Sequence, residues 1–251
     1  MKEIAITTVE ERMRNGYHIN FGHYLNEAFE IFKKEWLLFS LYSVVFMLMT
    51  VVSAITIVGP FLIMYPGLLG FAVAAEKVER GEKLEFNDFF GAFKNFGNYA
   101  ILMLVVVGIS VLLYMPFLAL TFLTGGFNSG YTEPNPLFLT LFMLYYFVMI
   151  AGALLLQVSI VFAPYLIHYG GYGAIDALKT SFKLAKKNFW WLLLFVLLAS
   201  VISSVGYFLC FIGVFASMAV GYTMYYSMVK DILMNPDHTE IEQIGKHGYA
   251  N

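Results

Sequence analysis

The chain has one cysteine, Cys210, which excludes an intrachain disulfide and any Cys-based zinc site. Charge is scarce as well: Asp, Glu, Lys and Arg make up 13% of the residues, about half the share of an ordinary soluble domain. So few charges could not cover the surface of a water-soluble protein of 251 residues. The first twenty residues, MKEIAITTVEERMRNGYHIN, carry charges through Arg14 and lack an apolar core. No cleavable signal peptide is therefore expected, and the mature protein should begin at Met1. No Ser-His-Asp order, glycine-rich phosphate loop or paired carboxylates can be recognised. His18, His23, His238 and His247 lack HxxxH or HExxH spacing. Neither an enzyme, a metal site, a cofactor nor a nucleic-acid partner is expected. The net charge of −2 says little, because placement of charge outweighs its sum in a membrane protein.

Apolar residues are abundant instead. They form 60% of the chain, with 18% aromatic, a composition suited to a lipid-facing surface with interfacial rings. Four apolar stretches stand out: Leu37 to about Ala75, Tyr99 to Leu123, Leu137 to Ile167, and Trp190 to Val229. One crossing of the hydrocarbon needs about 20 residues. The first and fourth stretches are each about twice that, so each reads as a hairpin, turning at Gly59-Pro60 and near Cys210–Gly213. The expected fold is all-α, a polytopic transmembrane bundle of six spans. The cytoplasmic N-terminal segment is 1–21, the membrane domain 22–231 and the cytoplasmic tail 232–251.

Charge placement tests that count. Lys and Arg fall only before residue 37, between Lys77 and Lys94, between Lys179 and Lys187, and after Val229. Six spans put all four segments on one face, which the positive-inside rule assigns to the cytoplasm. Only Glu133 among the acidic residues falls on the other side.

Amphipathic segments precede the span pairs. In 20–36 the expected apolar stripe is Leu25, Ala28, Phe29, Phe32 and Trp36, opposite Glu27, Glu30 and Lys34. In 173–190 it is Ile175, Leu178, Phe182, Ala185 and Phe189, and in 86–99 it is Phe86, Phe89, Phe90, Phe93 and Phe96. Such helices lie in the headgroup plane with basic residues toward anionic lipid. Lys33, Lys34, Lys183, Lys186 and Lys187 are the candidate lipid contacts, and Trp36, Trp190 and Trp191 the interfacial anchors. Residues 28–36 lie over 181–189 at an offset of 153, and Lys94-Asn95-Phe96 gives a weaker middle copy. Parallel repeats of an interfacial helix plus a hairpin are expected.

These motifs, Ala-Phe-x-x-Phe-Lys-Lys-x-Trp (28–36), Phe-x-Asp-Phe-Phe-x-x-Phe (86–93) and Ser-Phe-Lys-x-x-Lys-Lys-Asn-Phe-Trp (181–190), carry a resemblance. Over most of 22–231 the chain resembles uncharacterised bacterial six-span integral membrane proteins. That group includes the membrane domain attached to some glycerophosphodiester phosphodiesterases. The likeness implies a multi-pass protein of the bacterial cytoplasmic (inner) membrane. It implies no catalytic residues, and this chain carries no phosphodiesterase domain.

The apolar stretches contain no Asp, Glu, Lys, Arg or His from Leu37 to Ala75, Tyr99 to Leu123, Leu137 to Ile167 or Trp190 to Val229. That counts against ion-coupled transport. His168 reads as a boundary residue. Glu76, Glu79, Glu82, Glu85 and Asp88, alternating with Lys77, Arg80 and Lys83, read as a solvated loop. Gly213, Ser217 and Gly221 form a small-residue stripe for helix packing, repeated by Ser200 and Ser204. Pro66, Gln157, Ser159 and Pro164 are the residues that would frame a cavity. The leading expectation is a non-enzymatic accessory or scaffold subunit binding membrane lipids and other membrane-protein subunits. The alternative is a transporter or permease for a lipid or apolar small molecule.

Overall fold

A computed structural model of the chain describes residues 3–56, 58–123, 136–208 and 212–235. Cys210, Glu133, His238, His247 and nearly all of the outer loop and the C-terminal tail lie outside the described residues. Within them the secondary structure is entirely helical.

Helix α1 (Ile6–Asn15) stops at Gly16, whose φ of 79° is costly for residues with a Cβ. Helix α2 (Phe21–Lys34) starts where the Asn20 side chain accepts the His23 N–H at 3.1 Å, an N-cap that satisfies one free amide. It breaks at Glu35, and α3 (Trp36–Ser53) begins at the next residue. Helix α4 (Gly59–Glu79) opens on Pro60 in its first turn, where the missing N–H has no intrahelical partner to lose. A 3₁₀ segment (Phe86–Asn95) leads into α5 (Phe96–Leu123), followed by α6 (Pro136–Ile160) and the short α7 (Ala163–Gly170). Then come α8 (Ala174–Lys187), α9 (Phe189–Val205), α10 (Ile212–Val229) and a π turn (Lys230–Met234).

The bounds of α2 and α8, and the starts of α3 and α9 and of α4 and α10, differ by 153 residues. The two breaks match in conformation, with φ −135° and ψ 40° at Glu35 against φ −132° and ψ 45° at Asn188. Buried positions follow the same offset. Phe39, Tyr42, Ser43 and Phe46 of α3 correspond to Leu192, Phe195, Val196 and Ala199 of α9. Tyr24, Ala28, Ile31 and Phe32 of α2 correspond to Ala177, Ser181, Leu184 and Ala185 of α8.

Five helical segments are long and apolar enough to cross a membrane: Trp36–Ser53, Gly59–Glu79, Phe86–Ala119, Leu139–Gly170 and Phe189–Phe208. Helix α10 lies at the centre, packed on α9, α2, α3 and α4. Large apolar side chains such as Leu104, Leu112, Leu144, Phe147 and Val201 are exposed on the outer faces, a surface made for hydrocarbon rather than water.

Two expectations are corrected. The stripes of α2 and α8 do not each lie on one face: Ala28, Phe32 and Ala185 are buried, whereas Phe29, Ile175 and Phe182 are exposed. Each helix has a protein-facing side and an adjoining outward apolar side, and periodicity alone merged the two. The segment 86–95 is 3₁₀ rather than α-helical, capped by the reciprocal bonds of Glu85 and Asp88, with Phe89 and Ala92 buried at the i,i+3 spacing of that helix. The third apolar stretch forms one candidate span, Leu139–Gly170. It breaks between α6 and α7 before Pro164, and the buried Ser181 hydroxyl fills the gap, accepting from Phe162 N–H at 3.1 Å and donating to Ser159 C=O at 2.6 Å.

Candidate functional site

The charged segments converge at one end of the bundle. Lys230, 4% exposed, follows directly on α10 and donates to Glu27 of α2 and, at 2.7 Å, to Glu79 of α4. Tyr226 donates to the other Glu79 oxygen at 2.8 Å. Tyr24 donates to Asp231 at 2.6 Å, and Arg12 Nε donates to Ile232 C=O at 3.0 Å. Four helices are thus joined through one short stretch, 226–232. Burial lowers the Lys230 pKa, but the two carboxylates raise it by more, so the ammonium stays charged. Burial, then the Asp231 carboxylate, pushes the Tyr24 phenol up.

This network corrects the reading of residues 76–88 as a solvated loop. Glu76 is 1% exposed and Glu79 belongs to the ion pair, because α4 continues one turn past Ala75. Leu69, Ala72, Glu76 and Glu79 follow 3-4-3 spacing, which continues the buried face of α4. That spacing was the available signal in the sequence. Lys77 makes a looser pair with Asp88 at 2.7 Å, both side chains 24% exposed.

The expected lipid contacts lie along the outside of this end. Lys33 pairs with Glu30 at 2.8 Å and sits 4.8 Å from the Phe29 ring centroid; the lysine holds the fully exposed Glu30 carboxyl below its usual range. Lys34, Lys183 and Lys186 are exposed. Lys187 Nζ donates to the Arg14 carbonyl at 3.1 Å. Trp36, Trp190 and Trp191 are all more than half exposed, at or just after the α2–α3 and α8–α9 breaks.

The small-residue stripe faces inward. Ser217 Oγ donates to Ser203 C=O at 2.8 Å, and a Cβ on Gly221 would lie 1.9 Å from Ser203 Oγ. A Cβ on Gly206 would lie 2.2 Å from the Gly213 backbone, so α9 and its own successor fill this stripe. Ser203 makes the contact on α9, while Ser200 and Ser204 are exposed.

The four cavity candidates are dispersed in role. Pro66 is buried beside Gly67, where a Cβ would strike the Phe46 ring at 2.1 Å and where Tyr42 donates to the Gly67 carbonyl at 2.7 Å. Gln157 is exposed on α6. Ser159 Oγ returns to the Leu155 carbonyl at 2.6 Å. Pro164 lies buried in the first turn of α7, next to the Ser181 bridge. His168 has its Nδ1 3.3 Å from the Tyr99 hydroxyl. Among the described residues, no three His, Cys, Asp or Glu side chains are grouped to hold a metal ion.

No protein-family model, curated protein or solved structure matches the chain.

Proposed function

We propose that the chain is a non-enzymatic six-span protein of the bacterial cytoplasmic membrane, with both termini cytoplasmic. In this reading it is an accessory or scaffold subunit that holds anionic lipid along its interfacial helices. One observation carries the reading. Helices α2 and α8 each turn an exposed phenylalanine outward, Phe29 and Phe182, beside lysines, and each runs into an exposed tryptophan at the start of a span. Aromatic rings at headgroup depth and cations toward anionic lipid are what an interfacial helix requires.

The count of six takes α10 as a span, which its central packing and its end at the basic side support. The matching bounds and buried positions at an offset of 153 support a parallel repeat, with Phe86–Asn95 and α5 as its divergent middle copy. Partner subunits would dock on outer apolar faces, since α9 occupies the Gly221 stripe. The permease reading has less support, because Pro66 is buried, the Phe46 ring closes on its neighbour Gly67, and Gln157 is exposed.

The test is purification of the full chain in mild detergent with quantification of the lipids and proteins retained. A basic side chain near an anionic surface is worth about 1 kcal/mol, so joint replacement of Lys33, Lys34, Lys183 and Lys186 by Glu should cut retained anionic lipid by roughly tenfold or more. Retention in bulk membrane proportion by the unaltered chain would overturn the lipid role. Recovery of the chain alone, with a stoichiometric small molecule inside, would overturn the scaffold role.

A further inference from the structure

We propose that the α8–α9 joint and the α1–α2 linker together form a specific site for a phosphate headgroup, occupied by an anionic glycerophospholipid. The inference rests on the lipid-binding reading above and gives it an address. A half-open pocket of about 400 Å³ lies here, walled by Asn15, Gly16, His18, Asn188 and Trp191. Its shape is built in three ways. Gly16 at φ 79° turns the chain out of α1. Tyr17 fastens the linker, donating to the Leu184 carbonyl at 3.1 Å and meeting Phe162 edge-on at 5.8 Å. Phe21 then packs against Trp191 at 6.1 Å.

The chemistry is that of an anion site with an apolar exit. Its lining includes no carboxylate, and Asn15, Asn188 and His18 supply side-chain N–H donors. Two full charges neighbour the lining residues in the chain. Arg14, next to Asn15, has an exposed side chain and only a 3.8 Å contact to Glu10; Lys187, next to Asn188, uses one of its three protons on the Arg14 carbonyl. Trp191, 58% exposed, forms the side where α9 enters the apolar layer, so a headgroup here would have its acyl chains along α9. The α2–α3 joint provides an internal control. At the same offset Asn188 is replaced by Glu35, a carboxylate that would repel the same ligand.

The test uses the full chain with Trp36 and Trp190 replaced by Phe, reconstituted in phosphatidylcholine vesicles, with Trp191 emission as readout. Brominated phosphatidylglycerol should quench it at far lower mole fraction than brominated phosphatidylcholine. Each charge-assisted hydrogen bond lost is worth tenfold or more in binding, so N188E or H18A should weaken that quenching by roughly tenfold. H18A alters only an exposed side chain and keeps the test valid if N188E fails to fold. Reversal of quenching by millimolar inorganic phosphate would uphold the phosphate site and give it a soluble occupant. Equal quenching by both lipids, or quenching indifferent to both substitutions, would overturn the proposal. If retained anionic lipid still depends on Lys33, Lys34, Lys183 and Lys186, only this address fails. If no anionic lipid is retained at all, the broader reading fails with it.

Discussion

The α2–α3–α4 unit and the α8–α9–α10 unit place their helices and buried positions at one offset, yet they close their hairpins with different chemistry. In the first, rings meet glycine: Phe46 covers Gly67, and Tyr42, stacked 4.3 Å from Phe89, presses on Gly70. In the second, hydroxyls meet glycine: Ser203 and Ser217 bond across the Gly206, Gly213 and Gly221 contacts. At equivalent positions Phe46 becomes Ala199 and Gly67 becomes Val220, so bulk has moved from one helix of the hairpin to the other. The same backbone plan thus accepts two packing solutions, provided each close approach pairs one large or polar group with one residue that lacks it. In lipid, where apolar burial between spans gains little, such close contacts and hydrogen bonds carry helix association.

The sharpest way to break this equivalence is at Lys230, whose counterpart is Lys77. K230M would leave the Glu27 and Glu79 carboxylates facing an apolar thioether in place of the ammonium, and we expect a loss of about 3–5 kcal/mol. K77M removes a pair whose lysine is more open to solvent, 24% exposed against 5% for Lys230, and should cost no more than about 1 kcal/mol. Chemical denaturation in detergent measures both; equal losses would mean that the network does not distinguish the units. Alkaline titration sharpens the same point. Lys230 and Tyr24 both have raised folded pKa values, so their contribution is whole below the unfolded values, about 10.4 and 10. It is lost as pH rises through the folded ones. The melting temperature should therefore fall above about pH 10, and less so in K230M.

Next in size are the glycines. G70A would set a Cβ 2.4 Å from the Phe89 backbone carbonyl, which cannot be trimmed away, and should cost about 1–3 kcal/mol. G221A meets first the Ser203 hydroxyl, so adding S203A should restore much of what G221A loses. Failure of that rescue, read by thermal melting, would show that the backbones set the closeness of α9 and α10. A further effect is expected at Ser181, whose counterpart is Ala28. S181A strands the Phe162 N–H and the Ser159 carbonyl at the α6–α7 break, a loss of about 1–2 kcal/mol. Hydrogen exchange at Phe162 should quicken, while exchange across α3 stays unchanged.

Much of this was legible beforehand, for identifiable reasons. Helix type and the gathering of basic segments follow from composition and spacing, and the breaks at residues 35 and 188 fall within the aligned motifs. Trp36, Trp190 and Trp191 are exposed at or just after those breaks. The split between the inward and outward apolar sides of α2 and α8 was not legible, because Ala28 and Phe29 lie on neighbouring strips that one stripe can include. Glu76 and Glu79 were hidden by their neighbours: amid Lys77, Arg80 and Glu82 an acidic residue looks solvated, and only the helical phase extended from Leu69 shows that it points inward. The pocket beneath residues 15–19 has no sequence signature, since it joins segments about 170 residues apart.

What the amino-acid order alone determined was the solvent and the periodicity. Too few charges for water, apolar runs long enough for lipid, and cations confined to the segments outside those runs are properties of local stretches, so they survive without any knowledge of neighbours. Tertiary structure decided which polar groups are partners. Lys230, Glu27 and Glu79 are far apart in the chain, and Ser181 reaches a broken helix that is not its own. Such pairings are selected by the cost of leaving a buried donor or acceptor unsatisfied, which arises only once the helices have come together.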